Sequence, residues 1–279
     1  GGALIHSARL PENNRNAFSP SLTLGWRLSN ESFLEDSSVL DDLMLSVSGS
    51  VLNTDLGIDD YYMYQSSYDQ ANGAWWGWAD GNQSRATEAR RGNNSDLSFI
   101  KRKEISVGLR GSLWNKMLTF DASFFKNSLE GMLVQPSNSY PNYFGVSWPL
   151  ERTLLPYVNY NNSTRTGFDL ALNFNKKMGE VDFNLGVNAT YYTNENTKVD
   201  ELYEDAYRYH KGTPTDGMWG LQAEGFYNNE VEIQNSGITS SFGELKPGDL
   251  KYVDQNGDKI IDEKDEVYLG ERYGSQGTP

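Results

Sequence analysis

The densest set of metal-binding atoms in this chain lies between Asp254 and Asp265. Reading Asp254-Gln255-Asn256-Gly257-Asp258-Lys259-Ile260-Ile261-Asp262-Glu263-Lys264-Asp265 as one loop puts oxygen-bearing side chains at positions 1, 3, 5, 9 and 12. The Ile260 carbonyl falls at position 7 and the apolar Ile261 at position 8. Calcium takes about 6–8 hard oxygen ligands, and this spacing wraps such atoms around one point. The expectation is a structural calcium site held by Asp254, Asn256, Asp258, Ile260, Asp262 and Asp265. Two departures weaken it: Lys259 stands where a glycine eases the sharp turn, and Asp265 replaces a longer bidentate Glu. Gly257 supplies some of the missing backbone freedom. The rival reading is an acidic turn closed by Asx-type hydrogen bonds without metal. Both stay open, because the clustered carboxylates repel one another when no cation is present.

Other chemistry is sparse. His6 and His210 have no partner spacing that suggests a triad, and nothing marks any pair of carboxylates as acid and base. The absence of cysteine excludes a disulfide scaffold, thiolate metal sites and a cysteine nucleophile. No enzyme is expected. A net charge of −14 without a basic stripe argues against nucleic acid as a partner. Rings are abundant instead, at 13% of residues, a level that suits barrel girdles and ligand-contacting loops. One stretch carries Tyr61, Tyr62, Tyr64, Tyr68, Trp75, Trp76 and Trp78; another carries Tyr140, Tyr143, Phe144, Trp148 and Tyr157. Tyr62, Tyr64, Trp75, Trp76 and Trp78 are the candidates for stacking on a ligand. The plainer reading is that these rings pack the loops together.

The elements that must carry these loops show a period of two. Phe168, Leu170, Leu172 and Phe174 alternate with Asp169, Ala171, Asn173 and Asn175. Val181, Phe183, Leu185, Val187, Ala189 and Tyr191 alternate with Asp182, Asn184, Gly186, Asn188 and Thr190. Side chains of a strand point to opposite faces in turn, so each arm has an apolar and a polar face. Any register pairing an even apolar position with an odd one, such as Phe174 with Val181, aligns the apolar faces. The second arm, at about 11 residues, spans ~36 Å, or ~28 Å along a barrel axis at a tilt of ~40°. That matches an outer-membrane apolar band, whereas strands of soluble sheets average about 5–6 residues. Leu170, Leu172, Phe183, Leu185, Val187 and Leu109 are expected to face lipid, and Asn173, Asn184, Asn188 and Asp121 the lumen.

Similar alternation runs through Leu22–Leu28, Leu43–Val51, Ile105–Leu113 and Leu118–Phe124, with Leu113 opposite Leu118 closing a hairpin over 114–117. Links at 29–42, 114–117 and 176–180 are short, and those near 53–100, 128–162 and 192 onward are long. Short turns on one side and long loops on the other is the plan of an outer-membrane barrel. The expected fold is all-β, a partial antiparallel transmembrane β-barrel with about six wall strands over 1–192. Residues 193–279 then form a large outer excursion containing the acidic loop. A mean hydropathy of −0.64 and short apolar runs leave no transmembrane helix. Gly1-Gly2-Ala3-Leu4-Ile5 does not form a signal peptide, so the chain reads as mature or as a fragment. A soluble β-sandwich is the competing architecture, and strands and loops this long fit it poorly.

Several stretches together resemble the SusC family of TonB-dependent outer-membrane transporters of Bacteroidetes-type bacteria. They are Asn14-Arg15-Asn16-Ala17-Phe18-Ser19-Pro20-Ser21 with Leu24-Gly25-Trp26-Arg27-Leu28, then Leu40-Asp41-Asp42-Leu43. Next come Lys103-Glu104-Ile105 through Gly108-Leu109, and Thr166-Gly167-Phe168-Asp169. Gly217-Met218-Trp219-Gly220-Leu221, Glu224-Gly225-Phe226 and Pro247-Gly248-Asp249-Leu250-Lys251-Tyr252-Val253-Asp254 complete the series. Each is weak alone; their order along nearly the whole chain makes the match specific. Lys259 departs from the glycine that this family often carries there. The resemblance implies a large barrel closed by a plug and partnered by a SusD-like surface lipoprotein. It further implies import of oligosaccharides or peptides, driven through TonB. On that reading the chain is an interior portion of the barrel, without plug or TonB box. The alternatives are a soluble calcium-dependent carbohydrate-binding β-protein and a surface adhesin or secretion-linked barrel.

Overall fold

The computed structural model describes residues 1–35, 37–77, 83–146 and 152–271. One compact unit takes the chain through Asp200, and a second begins at Glu201.

The first unit opens with β1 (Gly2–His6), β2 (Asn16–Arg27) and β3 (Leu40–Thr54). A hairpin of β4 (Ser67–Gly77) and β5 (Gln83–Arg91) stands in the following loop. The wall resumes with β6 (Ile100–Leu113) and β7 (Leu118–Val134). After the short pair β8 (Gly145–Val146) and β9 (Arg152–Thr153), it continues with β10 (Val158–Met178) and β11 (Val181–Lys198). Seven strands form one antiparallel sheet in the order β1-β2-β3-β6-β7-β10-β11. Every neighbour in the sheet is thus a sequence neighbour within the wall, the connectivity of an up-and-down barrel. The arc is open; these strands do not close on themselves.

All six expected strands are present, and Leu113 pairs with Leu118 as the alternation required. Other details differ from the sequence reading. Phe174 pairs with Leu185 rather than Val181, because Lys176 and Lys177 continue β10 and only Gly179 and Glu180 remain to turn. Parity is unchanged, so the apolar faces still coincide. Strand β11 has 18 residues and β10 has 21, well beyond the alternating core that revealed them. Strand β1 was not foreseen.

The buried core of this unit lies at the long-loop end. Leu10 of the β1–β2 turn packs with Ile58, Met63, Leu97 and Phe99 from the 55–99 connection, and Tyr64, Leu133 and Tyr157 close over them. Polar groups tie these loops down: Asn14 Nδ2 donates to the Leu97 carbonyl, Arg15 Nε to that of Leu10, and Arg9 to that of Ile58. Backbone carbonyls buried under a loop need such donors. This explains two residues of the Asn14-Arg15-Asn16 stretch as structural clamps.

The second unit consists of short pieces. Its strands are β12 (Gly217–Leu221) and β13 (Ala223–Phe226), followed by helix α1 (Glu230–Ser236) and β14 (Thr239–Ser240). Then come β15 (Leu250–Tyr252), β16 (Ile260–Ile261) and β17 (Glu266–Glu271). They pair as β12 with β17, β13 with β15, and β14 in parallel with β16. Helix α1 starts at Asn229, whose side chain accepts from Glu232 N, and stops at Gly237 in the left-handed region. Among the described residues no helix is long and apolar enough to cross a membrane, which leaves crossing by strands open.

Candidate functional site

The wall carries two chemically distinct faces, and they follow from register. Leu24, Val47, Val107, Phe124, Phe168 and Tyr191 form one continuous row across six strands. The next row toward the short turns is Trp26, Leu45, Leu109, Ala122, Leu170 and Ala189. Below it lie Leu43, Gly111, Phe120, Leu172 and Val187. Leu170, Leu172, Phe183, Leu185, Val187 and Leu109 therefore share one face, as the alternation required. Their surroundings are open: Leu185 is 53% exposed, Phe124 53% and Leu24 63%. Among the described residues no second sheet covers this face. A soluble sandwich would have to bury it, because exposed apolar patches beyond a few hundred Å² demand a partner.

The opposite face is polar. Ser48 and Ser106 hydroxyls meet at 2.7 Å, and Thr190 Oγ1 donates to Asp169 at 2.8 Å. Arg110 clasps Asp121 through two nitrogens, and Arg27 lies 3.3 Å from Asp42. Asn173, Asn184 and Asn188 align on this face with Asp121. Gly167 sits in an inner row between Phe125 and Tyr192, where a Cβ would come within 2.6 Å of the Tyr192 Cβ. The Arg165 guanidinium stacks over the Tyr192 ring, 4.5 Å from its centre.

The candidate ligand-stacking rings have separate placements. Tyr62 is 56% exposed in a positive-φ turn, with the Tyr61 and Tyr64 rings about it. Tyr64 packs on the buried loop core. Trp75 and Trp76 lie on β4, opposite Arg85 and Ser84, but their side chains fall outside the described set. Trp78 and Trp148 lie outside the described residues. Tyr143 and Phe144 rings sit 5.1 Å apart in the second loop. That loop is knotted to the end of β11, where Asp200 accepts from Asn138 N and from the Ser139 hydroxyl.

In the acidic loop, backbone amides meet the carboxylates. Asp254 accepts from Gly257 N and Lys259 N, Asn256 from Asp258 N, and Asp258 from Ile260 N. Asp262 accepts from Lys264 N. The fully buried Asp265 accepts from Gln255 N and Asp262 N at 2.8 and 3.0 Å. Lys259 takes a φ of 67°, the left-handed conformation that a glycine would adopt with less strain. Among the described residues no three acidic or histidine side chains form a metal-ligand group. The bonds from the Gly257, Asp258 and Ile260 amides are Asx-type hydrogen bonds. His210 does have a partner that sequence spacing did not reveal. Its Nδ1 lies 3.1 Å from Glu201, whose carboxylate also accepts from the His210 and Lys211 amides, and its ring lies 4.1 Å from that of Trp219. That carboxylate clamps a turn.

The family model described as TonB dependent receptor-like, beta-barrel, matches residues 5–259 of this chain. The chain belongs to that family. It is 26% identical over 270 residues to the TonB-dependent receptor SusC of Bacteroides thetaiotaomicron, covering 93% of this chain and 25% of SusC. A TonB-dependent receptor of Formosa agariphila is 23% identical over 278 residues, covering 95% of this chain and 26% of the relative. Among solved structures, the RagAB peptide importer in its open-open state superposes with a TM-score of 0.66 at 18% identity, covering 94% of this chain and 26% of that one. In its closed-closed state the TM-score is 0.63 at 18% identity, with 95% of this chain and 27% of that one covered. The chain thus spans about a quarter of the length of these relatives. The TonB-dependent barrel read from its motifs is the family it belongs to, and SusC is among the proteins it is similar to.

Proposed function

We propose that this chain supplies wall and outer loops to an outer-membrane importer that takes up oligosaccharides or peptides with energy delivered through TonB. The observation that carries the proposal is the segregation of faces across the sheet. An uncovered apolar face suits lipid, and a face of Ser, Thr, Asn and paired charges suits a hydrated passage. TonB would act through a plug supplied by the rest of the protein. A SusD-like lipoprotein would serve as a lid over the long-loop end. SusC is a TonB-dependent receptor, and RagAB, which shares the fold, is a peptide importer; the two substrate classes both stand. The long loops, with their core of Leu10, Ile58 and Leu97, would lie outside the cell and give the lid a firm seat.

The test is uptake by cells carrying the whole protein. Labelled oligosaccharide or peptide should accumulate only when both the protein and TonB are present. Uptake that survives loss of TonB would refute energised import. The membrane part is checked separately, since the protein should resist carbonate extraction and need detergent. Release by carbonate would favour a soluble carbohydrate-binding protein instead.

A further inference from the structure

Beyond the aromatic row, the outward face changes character within two further rows. Phe124, Phe168 and Tyr191 are the last apolar residues there on β7, β10 and β11, and Ile105 is the last on β6. The next positions toward the long loops are Lys126 on β7, then Lys103 and Lys101 on β6. Lys126 stands directly opposite Ile105, Lys103 opposite Ser128, and Lys101 opposite Glu130. All three lysines share the outward face with the apolar band, by parity of register, and all are exposed. Lys103 and Lys126 are diagonal neighbours on adjacent strands, about 7–8 Å apart, and Lys101 lies two residues farther along β6 toward the long loops. Glu130 offsets part of this charge through a 2.6 Å bridge to Lys103. Glu195 on β11 is the other outward carboxylate in these rows. The remaining outward neighbours, Val51, Asn53, Thr164 and Thr166, are neutral. A local excess of positive charge therefore borders the apolar band in a chain of net charge −14.

We propose that Lys101, Lys103 and Lys126 bind the phosphorylated headgroup of a glycolipid in the outer leaflet. The inference rests on the wall and orientation proposed above. A lipid whose chains lie along Phe124 and Ile105 puts its headgroup at the level of these ammonium groups, because lysine stems lie along apolar surface and carry the charge outward. Thr164, Thr166 and Ser128 provide hydroxyls at the same height for sugar or phosphate oxygens. Charge complementarity selects phosphate over a neutral sugar headgroup, and the adjoining apolar band selects a lipid over a free anion.

The test uses the whole protein, purified as the folded barrel and placed in nanodiscs. Its ligands are a phosphorylated outer-leaflet glycolipid, the same lipid stripped of phosphate, and inorganic phosphate. Each lysine near an anionic lipid surface contributes a factor of about five. The triple variant Lys101→Gln/Lys103→Gln/Lys126→Gln should therefore lose roughly a hundredfold in affinity for the phosphorylated lipid. Lys116→Gln, at the opposite end of the wall, should bind like the parent. The triple Lys→Arg variant should also retain binding. The stripped lipid should bind the parent as weakly as the phosphorylated lipid binds the triple variant. Equal affinity of parent and triple variant overturns the proposal. Displacement of the lipid by millimolar inorganic phosphate also overturns it, since the site would then be one for free anions. Where the triple variant loses the heat-shifted gel band of a folded barrel, Lys126→Gln alone is read, with about a fivefold loss expected. Uptake is not the readout, so a failed import assay and a failed lipid site remain distinguishable.

Discussion

At the scale of single residues, several motif positions that looked functional hold the backbone. The turn between β6 and β7 places Trp114, Asn115 and Lys116 at φ values of 54°, 55° and 62°, a left-handed run that costs about 1–2 kcal/mol per residue. Asp41 offsets this by accepting from Asn115 N and Lys116 N at 3.0 and 2.8 Å. Asp41→Ala should lower barrel stability by about 1–2 kcal/mol, read from the urea midpoint of the unfolding transition. A shift below ~0.3 kcal/mol would mean that the turn holds without Asp41. In the acidic loop, Asp265 should outrank any bound ion. Its buried carboxylate closes two backbone amides, so Asp265→Ala should cost on the order of 2–3 kcal/mol. Calcium at Asp254, Asn256, Asp258, Ile260, Asp262 and Asp265 stands as a proposal. At a few times its dissociation constant, calcium would add only ~1 kcal/mol. Thermal melts with calcium and with chelator should therefore differ less than Asp265→Ala differs from the parent. The opposite ranking would make the metal the main determinant of this loop.

At the scale of elements, what could be read in advance was parity, and what could not was extent. Residues 168–175 and 181–191 keep strict alternation, apolar on one face and polar on the other, so strand identity and facing survive any choice of turn. Strand β11 runs on through Tyr192–Lys198 and β10 starts back at Val158, where both faces are polar and the period of two vanishes. Lys176 and Lys177 resemble turn residues but extend β10. The strands of the second unit have two to six residues, too few to show a period. The acidic loop was legible as a cluster of oxygen-bearing side chains at fixed spacing, whereas the His210–Glu201 clamp depends on ring packing that spacing does not encode. Facing can be tested directly. Leu185→Lys should cost roughly 2–4 kcal/mol in the full-length barrel, and Asn188→Lys much less, measured by denaturant titration in lipid. Equal costs would remove the distinction between the faces. Helix α1 offers a pH test. Hydrogen bonds from the Asn228 backbone and side chain hold the Glu232 carboxyl below its usual range. A lowered folded-state value means stability is present above the unfolded value of about 4.3 and is lost as pH falls through the folded one. Amide exchange over 230–236 should accelerate on acidification into that range, and Glu232→Gln should abolish the change.

At the scale of the whole molecule, the short turns and the long connections separate to opposite ends of the wall. The turns at Gly179–Glu180 and at 114–117 lie at one end of the wall, and the connections 55–99 and 135–157 lie at the other. Strand β11 starts at the short-turn end and finishes at Lys198, so the chain leaves the wall at the long-loop end. Among the described residues after it, β12 pairs with β17 and β13 with β15, and none pairs into the seven-stranded sheet. Glu224, Glu230 and Glu232 would in any case make a costly lipid-facing strand. If short turns face the periplasm, as in bacterial outer-membrane barrels generally, everything from Glu201 onward through α1 must be reachable from the medium. The exposed left-handed Gly237 that ends α1 is a suitable place to ask, because an insertion there follows the helix and precedes β14. An epitope tag inserted after Gly237 in the full-length protein should be labelled by antibody on intact cells, while a tag at Gly179 should need permeabilised ones. Labelling in the reverse order would invert the barrel and place the acidic loop in the periplasm. Protection of both tags would return the 201–271 stretch to the wall and remove the outer surface proposed as a seat for the lid.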